Sequence, residues 1–173
     1  MNAFPQPAPR GPDSIPLVLP LPATATQPPT ALNRKKIMVV DDSIVILKTL
    51  SMKLKASGYD VLTAEDGAVA VSTARRERPD LILLDLVFPP DVAHGGGVAW
   101  DGFLIMDWLK RMEEVKNIPI IIITGAKSEE FKARSMASGA VGYIQKPINN
   151  DELLAAIHQT LGDNVAPEPS PAA

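Results

Sequence analysis

The chain contains no cysteine, which excludes disulfide staples, cysteine-ligated zinc and thiol catalysis, and fits a reducing cytoplasm. It also lacks any run approaching the ~20 apolar residues of a transmembrane helix. The apolar stretch Ile15–Pro22 is broken by Pro16, Pro20 and Pro22, and only Arg10 precedes it as a positive charge. That composition does not make the helical apolar segment of a signal peptide. There is no excess of basic charge either. The net charge is −3 over 173 residues, and −1 over residues 34–162, which hold 16 basic and 17 acidic side chains. Binding to nucleic acid by electrostatics is thereby disfavoured, and neither nucleic acid nor membrane is expected as a partner. No Gly-x-Gly-x-x-Gly follows the first apolar run, which removes a dinucleotide site.

Proline is scarce only in the middle. Nine of the 17 prolines lie in residues 1–33 and three in the last seven, leaving five for residues 34–162. Residues 1–33 and 163–173 therefore read as disordered tails, the first with polyproline II character. The intervening 129 residues carry nearly all the apolar periodicity. They are enough for one domain that buries about two-thirds of its unfolded surface, and no output domain is expected beyond it.

Within that domain, short apolar runs alternate with helical patterns. Ile37–Val40, Asp60–Ala64, Leu81–Leu84, Ile120–Ile123 and Val141–Gln145 predict strands. Ser43 is placed to cap a helix with Ile44, Leu47, Leu50 and Leu54 on one face, stopping at Gly58. Further helices are predicted from about Gly67 to Arg78 (closed by Pro79), through Phe103–Met112, from Ser128 to Ser138, and over Asn150–Leu161. Five strands alternating with five helices argue for an α/β fold, with a parallel sheet covered on both faces and right-handed crossovers.

In such a sheet, ligands gather at the carboxyl ends of the strands. Here those ends carry Asp41-Asp42, Asp85, Thr124 and Lys146-Pro147. Taken singly, each has an ordinary reading as a cap, a turn residue or a solvated lysine. Together they place three carboxylates, a hydroxyl and an ammonium on one edge. Crowded carboxylates are costly unless a cation or a proton intervenes. An all-oxygen donor set calls for a hard cation, best Mg2+, which in such sites awaits phosphate oxygens. Lys146 and Thr124 would complement a phosphoryl group. These are the parts for phosphoryl transfer to a carboxylate nucleophile, forming an acyl phosphate.

The set Asp41-Asp42, Asp85, Thr124 and Lys146-Pro147 resembles the receiver domain of two-component response regulators, of the stand-alone, chemotaxis-regulator-like kind, over residues 34–162. The resemblance implies a flavodoxin-like doubly wound (βα)5 fold with its five-stranded parallel sheet in the order 2-1-3-4-5. It implies that Asp85 accepts a phosphoryl group from a sensor histidine kinase or a histidine phosphotransfer protein. It gives Asp42 direct contact with magnesium and Asp41 contact through water, with the Val87 backbone carbonyl as a further ligand beside Asp85. Thr124 becomes the switch hydroxyl, Lys146 the phosphoryl partner with a cis bond to Pro147, and Tyr143 the aromatic switch. The protein would then be a cytoplasmic phosphoacceptor signalling through a protein partner, not a turnover enzyme.

The chain departs from that pattern after Asp85. Pro89 and Asp101-Gly102 are present, but Pro90–Trp100 intervenes, a Gly-rich insertion containing His94 and expected to act as a lid or partner-selecting loop. Val87 and Ala126 stand where the family often has polar side chains that hold water, so a long-lived phosphoryl group is expected. Two alternatives remain: a receiver fold that no longer takes phosphate and serves only as an interaction module, and a haloacid-dehalogenase-like phosphatase. The latter places its nucleophile in an Asp-x-Asp on the first strand, where this chain has Asp41-Asp42-Ser43.

Overall fold

The computed structural model describes residues 34–88 and 101–162. Both tails and the insertion with His94 and Trp100 lie outside the described residues. Strands β1 (Lys36–Val40), β2 (Asp60–Ala64), β3 (Leu81–Leu84), β4 (Ile120–Thr124) and β5 (Gly142–Gln145) alternate with helices α1 (Ile44–Ala56), α2 (Gly67–Glu77), α3 (Gly102–Arg111), α4 (Glu129–Ala137) and α5 (Asn150–Leu161). The strands form one parallel sheet in the order β2-β1-β3-β4-β5, the flavodoxin-like arrangement that the resemblance implies.

β1, β3 and β4 are continuous apolar runs because helices cover both their faces. Side chains alternate between those faces with period two. Ile37, Val39, Leu81, Leu83, Ile121 and Ile123 pack with Leu47, Leu50 and Leu54 of α1 and Leu153 and Ile157 of α5. Met38, Val40, Ile82, Leu84, Ile120 and Ile122 pack on the opposite side with Ala70 and Ala74 of α2 and Ile105, Met106 and Leu109 of α3.

Each helix starts under a short polar cap. The side chains of Ser43, Asp66, Asp101, Ser128 and Asn149 accept backbone N–H groups of the first turns of α1 to α5 respectively, meeting donors that the helix leaves unpaired. Several boundaries differ from the sequence expectation by a residue or so: β1 starts at Lys36, α3 runs Gly102–Arg111, β4 includes Thr124 and α4 spans Glu129–Ala137. α2 ends at Glu77, with Arg78 as a left-handed cap at φ 46° whose N–H still donates to the Ala74 carbonyl. β5 begins at Gly142, because Val141 donates to the Ile120 carbonyl but leaves its side chain exposed. Among the described residues no helix is long and apolar enough to cross a membrane.

Candidate functional site

The register sets Val40 beside both Ala64 and Leu84, and Thr124 beside Gln145. The residues at or just past the ends of β1, β3, β4 and β5 therefore share one edge. Backbone bonds hold them there. Asp41 donates to the Ala64 carbonyl at 3.2 Å, Asp85 to the Val40 carbonyl at 2.9 Å, and Lys146 to the Thr124 carbonyl at 2.8 Å. The Lys146–Pro147 peptide bond is cis.

Lys146 is the centre of the arrangement. Its Nζ donates to Asp41 Oδ2 and to Asp85 Oδ2, each at 2.6 Å. Asp41 and Asp85 are buried, while Asp42, beside them, is exposed. Their other oxygens are also engaged. Asp41 Oδ1 accepts the Ser43 N–H at 2.9 Å and Asp85 Oδ1 accepts the Val87 N–H at 3.1 Å. Asp41, Asp42 and Asp85 each offer a carboxylate oxygen within 4.8 Å of the other two.

Three carboxylates against one ammonium leave the cluster with excess negative charge. Burial pushes the Asp41 carboxyl above its ordinary range, and the charge of Asp85 adds to this against the pull of the Lys146 and Ser43 hydrogen bonds. Burial alone would depress the Lys146 ammonium, but its bonds to Asp41 and Asp85 outweigh that and hold it above the ordinary lysine value. A compact, all-oxygen, net-negative donor set of this kind fits a hard divalent cation. Asp41, Asp42 and Asp85 are the side chains that would hold it.

Thr124 is fully buried, and its Oγ1 accepts the Ala126 N–H at 3.3 Å. The Tyr143 hydroxyl donates to the Ala126 carbonyl at 2.9 Å. Burial pushes that hydroxyl's pKa up, and the Glu129 charge adds to the shift. Ala126 thus joins the Thr124 hydroxyl to the Tyr143 hydroxyl through the two ends of its backbone. The sequence marks Ala126 only by its apolar side chain, and a backbone link of this kind leaves no mark in residue type. The Val87 side chain is exposed at the rim.

Gly102 is a second residue whose part emerges only in three dimensions. Its N–H donates to the Leu86 carbonyl at 3.1 Å. A Cβ there would stand 2.6 Å from Leu86 Cα and would overlap the Asp85 carbonyl oxygen. The first turn of α3 is therefore seated directly on the backbone of the Asp85 turn, which only glycine permits.

The family model described as the response regulator receiver domain matches residues 37–158. The polar-differentiation response regulator DivK of Brucella anthropi is 33% identical over 129 residues, covering 75% of this chain and 98% of that protein. The structure of the chemotaxis response regulator CheY4 of Vibrio cholerae is similar with a TM-score of 0.64 at 33% identity, over 74% of this chain and 99% of that one. The receiver domain of a sensor histidine kinase from Pseudomonas aeruginosa, solved with a magnesium ion coordinated in its active site cleft, is similar with a TM-score of 0.64 at 26% identity, over 75% of this chain and 99% of that one. With its strand order, its site edge and these relatives in agreement, the chain belongs to the response regulator receiver domain family.

Proposed function

We propose that this receiver accepts a phosphoryl group on Asp85 from a phosphohistidine, carried by a sensor histidine kinase or a histidine phosphotransfer protein, and passes the signal to a protein partner through a changed surface. The observation that carries the reading is the double bond of the Lys146 ammonium to the Asp41 and Asp85 carboxylates, inside a cluster of three carboxylates at the carboxyl edge of the sheet.

In the transfer, an Asp85 carboxylate oxygen forms a bond to phosphorus as the phosphorus–nitrogen bond of the donor breaks, its electron pair leaving on the imidazole nitrogen. Lys146, already within reach of Asp85, neutralises charge on the equatorial oxygens. Asp41, Asp42, Asp85 and the Val87 backbone carbonyl would hold Mg2+, which when bound offsets the charge of the carboxylates and of the phosphoryl oxygens. The Thr124 hydroxyl, whose oxygen accepts the Ala126 N–H, turns to donate its own proton to a phosphoryl oxygen. Because Ala126 also anchors Tyr143, the two side chains respond together.

Two surfaces support partners on either side of this event. Ile44, Val45 and Met52 are exposed on the outer face of α1, which begins beside Asp42, and they suit an apolar donor contact. A groove of about 500 Å³ lined by Lys127, Lys132, Tyr143, Gln145 and Glu152 lies where Tyr143 would report its change. The chain carries its phosphoryl group as a signal and does not turn over substrate.

Acetyl phosphate with magnesium, read by intact mass on wild type and Asp85→Asn, tests this directly. One phosphoryl group gained by wild type, only with magnesium, and none by the variant is the expected result. No gain at any magnesium concentration would leave the fold as an interaction module alone.

A further inference from the structure

α4 is loosely held to the body of the protein. Of its nine residues only Ser135 is buried, and the Ser135 hydroxyl bonds within the helix to the Phe131 carbonyl at 2.7 Å. Little apolar burial fixes it, so a small change in its remaining contacts shifts its position or order. Beside its contacts with β5, two ring contacts of α4 meet on one side chain of α3. The Arg134 guanidinium lies 3.8 Å from the centroid of the Phe103 ring, and the Phe131 ring packs against the same ring with centroids 6.0 Å apart at 36°. Phe103 is itself buried and follows Gly102, the residue seated on the backbone of Asp85 and Leu86. A rigid connection of two residues thus runs from the Asp85 turn to the ring that α4 grips.

We propose that Phe103 is a positioning residue through which the Asp85 site controls α4, by a route through the first turn of α3 that is separate from the Thr124–Ala126–Tyr143 link. This rests on the phosphoacceptor reading above. When the Asp85–Val87 turn adjusts to a phosphoryl group, Gly102 has no slack to absorb the shift, because no side chain intervenes between it and the Asp85 carbonyl. The Phe103 ring moves with it, and the cation–π and ring contacts on the Arg134 and Phe131 side transmit the displacement to a helix with little apolar burial to resist it. The element with two states is α4, and the phosphoryl group and the Phe103 contact both bias it.

Amide hydrogen exchange of residues 129–137, measured with and without acetyl phosphate and magnesium and alongside intact mass, tests the route. Arg134→Gln removes the cation from an exposed position without touching the core, Phe103→Leu keeps the burial but removes the ring, and Arg134→Lys restores a cation. In wild type, phosphorylation is expected to change the α4 exchange rates about threefold or more. In Arg134→Gln and Phe103→Leu the phosphoryl yield stays at the wild-type level while that change falls to less than half. Arg134→Lys recovers most of it. A merely structural contact would raise α4 exchange equally with and without the phosphoryl group and leave the ratio intact, which overturns the proposal. So does a wild-type response in both disruptive variants at full phosphoryl yield. A wild type that takes no phosphoryl group overturns the phosphoacceptor reading, and this inference with it.

Discussion

Asp42 is the carboxylate of the cluster that water reaches, whereas Asp41 and Asp85 are buried against Lys146. Removing the charge of Asp42 relieves repulsion without orphaning Lys146. Asp42→Asn is therefore expected to stabilise the metal-free protein by about 0.5 kcal/mol, the scale of an exposed charge pair, and to weaken stabilisation by magnesium. Urea denaturation with and without the ion checks both. The buried groups give the pH dependence. Asp41 has its folded pKa raised, so above its ordinary value the folded chain still holds a proton that the unfolded chain has released. Stability consequently falls as pH rises through that window, and Asp41→Asn should flatten the slope there. Lys146 is raised as well. Its contribution is complete below the ordinary lysine value and is lost as pH rises through the folded one. Lys146→Gln should cost about 2 kcal/mol at neutral pH, leaving two buried carboxylates unpaired, with the gap closing in strong base. Ala126 bears on lifetime instead. An amide there could hold a water near Asp85, so Ala126→Asn should shorten the phosphoryl half-life several-fold, read by intact mass after removal of the donor; an unchanged half-life would remove the role given to the apolar side chain.

α3 shows what an element contributes beyond its own hydrogen bonds. Its first residue, Gly102, rests on the Asp85 turn, so Gly102→Ala must push backbone apart. The expected cost is about 2 kcal/mol, the scale of overpacking in a filled core, accompanied by slower phosphorylation because the same turn carries Asp85 and Val87. Denaturation and single-turnover phosphorylation of the variant measure the two effects. At this scale most of the molecule was legible in advance. The central strands show as short apolar runs buried on two faces and the helices as polar caps followed by apolar stripes, and β2, β3 and α5 match their predicted bounds. The misses have local causes. Arg78 takes a left-handed conformation that its residue type does not advertise, and Val141 bonds to Ile120 without entering the β5 ladder. In the site, Asp41, Asp42, Asp85, Thr124 and Lys146 were legible because parallel topology sends every strand end to one edge. The Ala126 link, the Gly102 seat and the Phe103–Arg134 contact were not, since each depends on backbone atoms or on helices brought together only by the fold.

At the scale of the whole molecule, the sheet brings together charges that the chain would separate if unfolded. Asp41, Asp85 and Lys146 come from three different strand ends, so their spacing exists only in the folded state, and a cation that needs all the carboxylates binds that state alone. Magnesium should therefore raise the melting temperature by mass action. At a free concentration one hundred times its dissociation constant the gain is about 2.7 kcal/mol, or roughly 10 °C for a domain of this size. Protons compete with the metal for Asp41, whose carboxyl is pushed up by burial. The magnesium-dependent rise should accordingly be full near neutral pH and shrink as pH falls towards the carboxylate range, while over the same interval protonation of Asp41 adds stability to the metal-free protein. Thermal melts at several pH values, with and without magnesium, separate the two curves. If they stayed parallel from neutral to acid pH, Asp41 would not belong to the metal-binding set, and Asp42 and Asp85 alone would have to account for the binding.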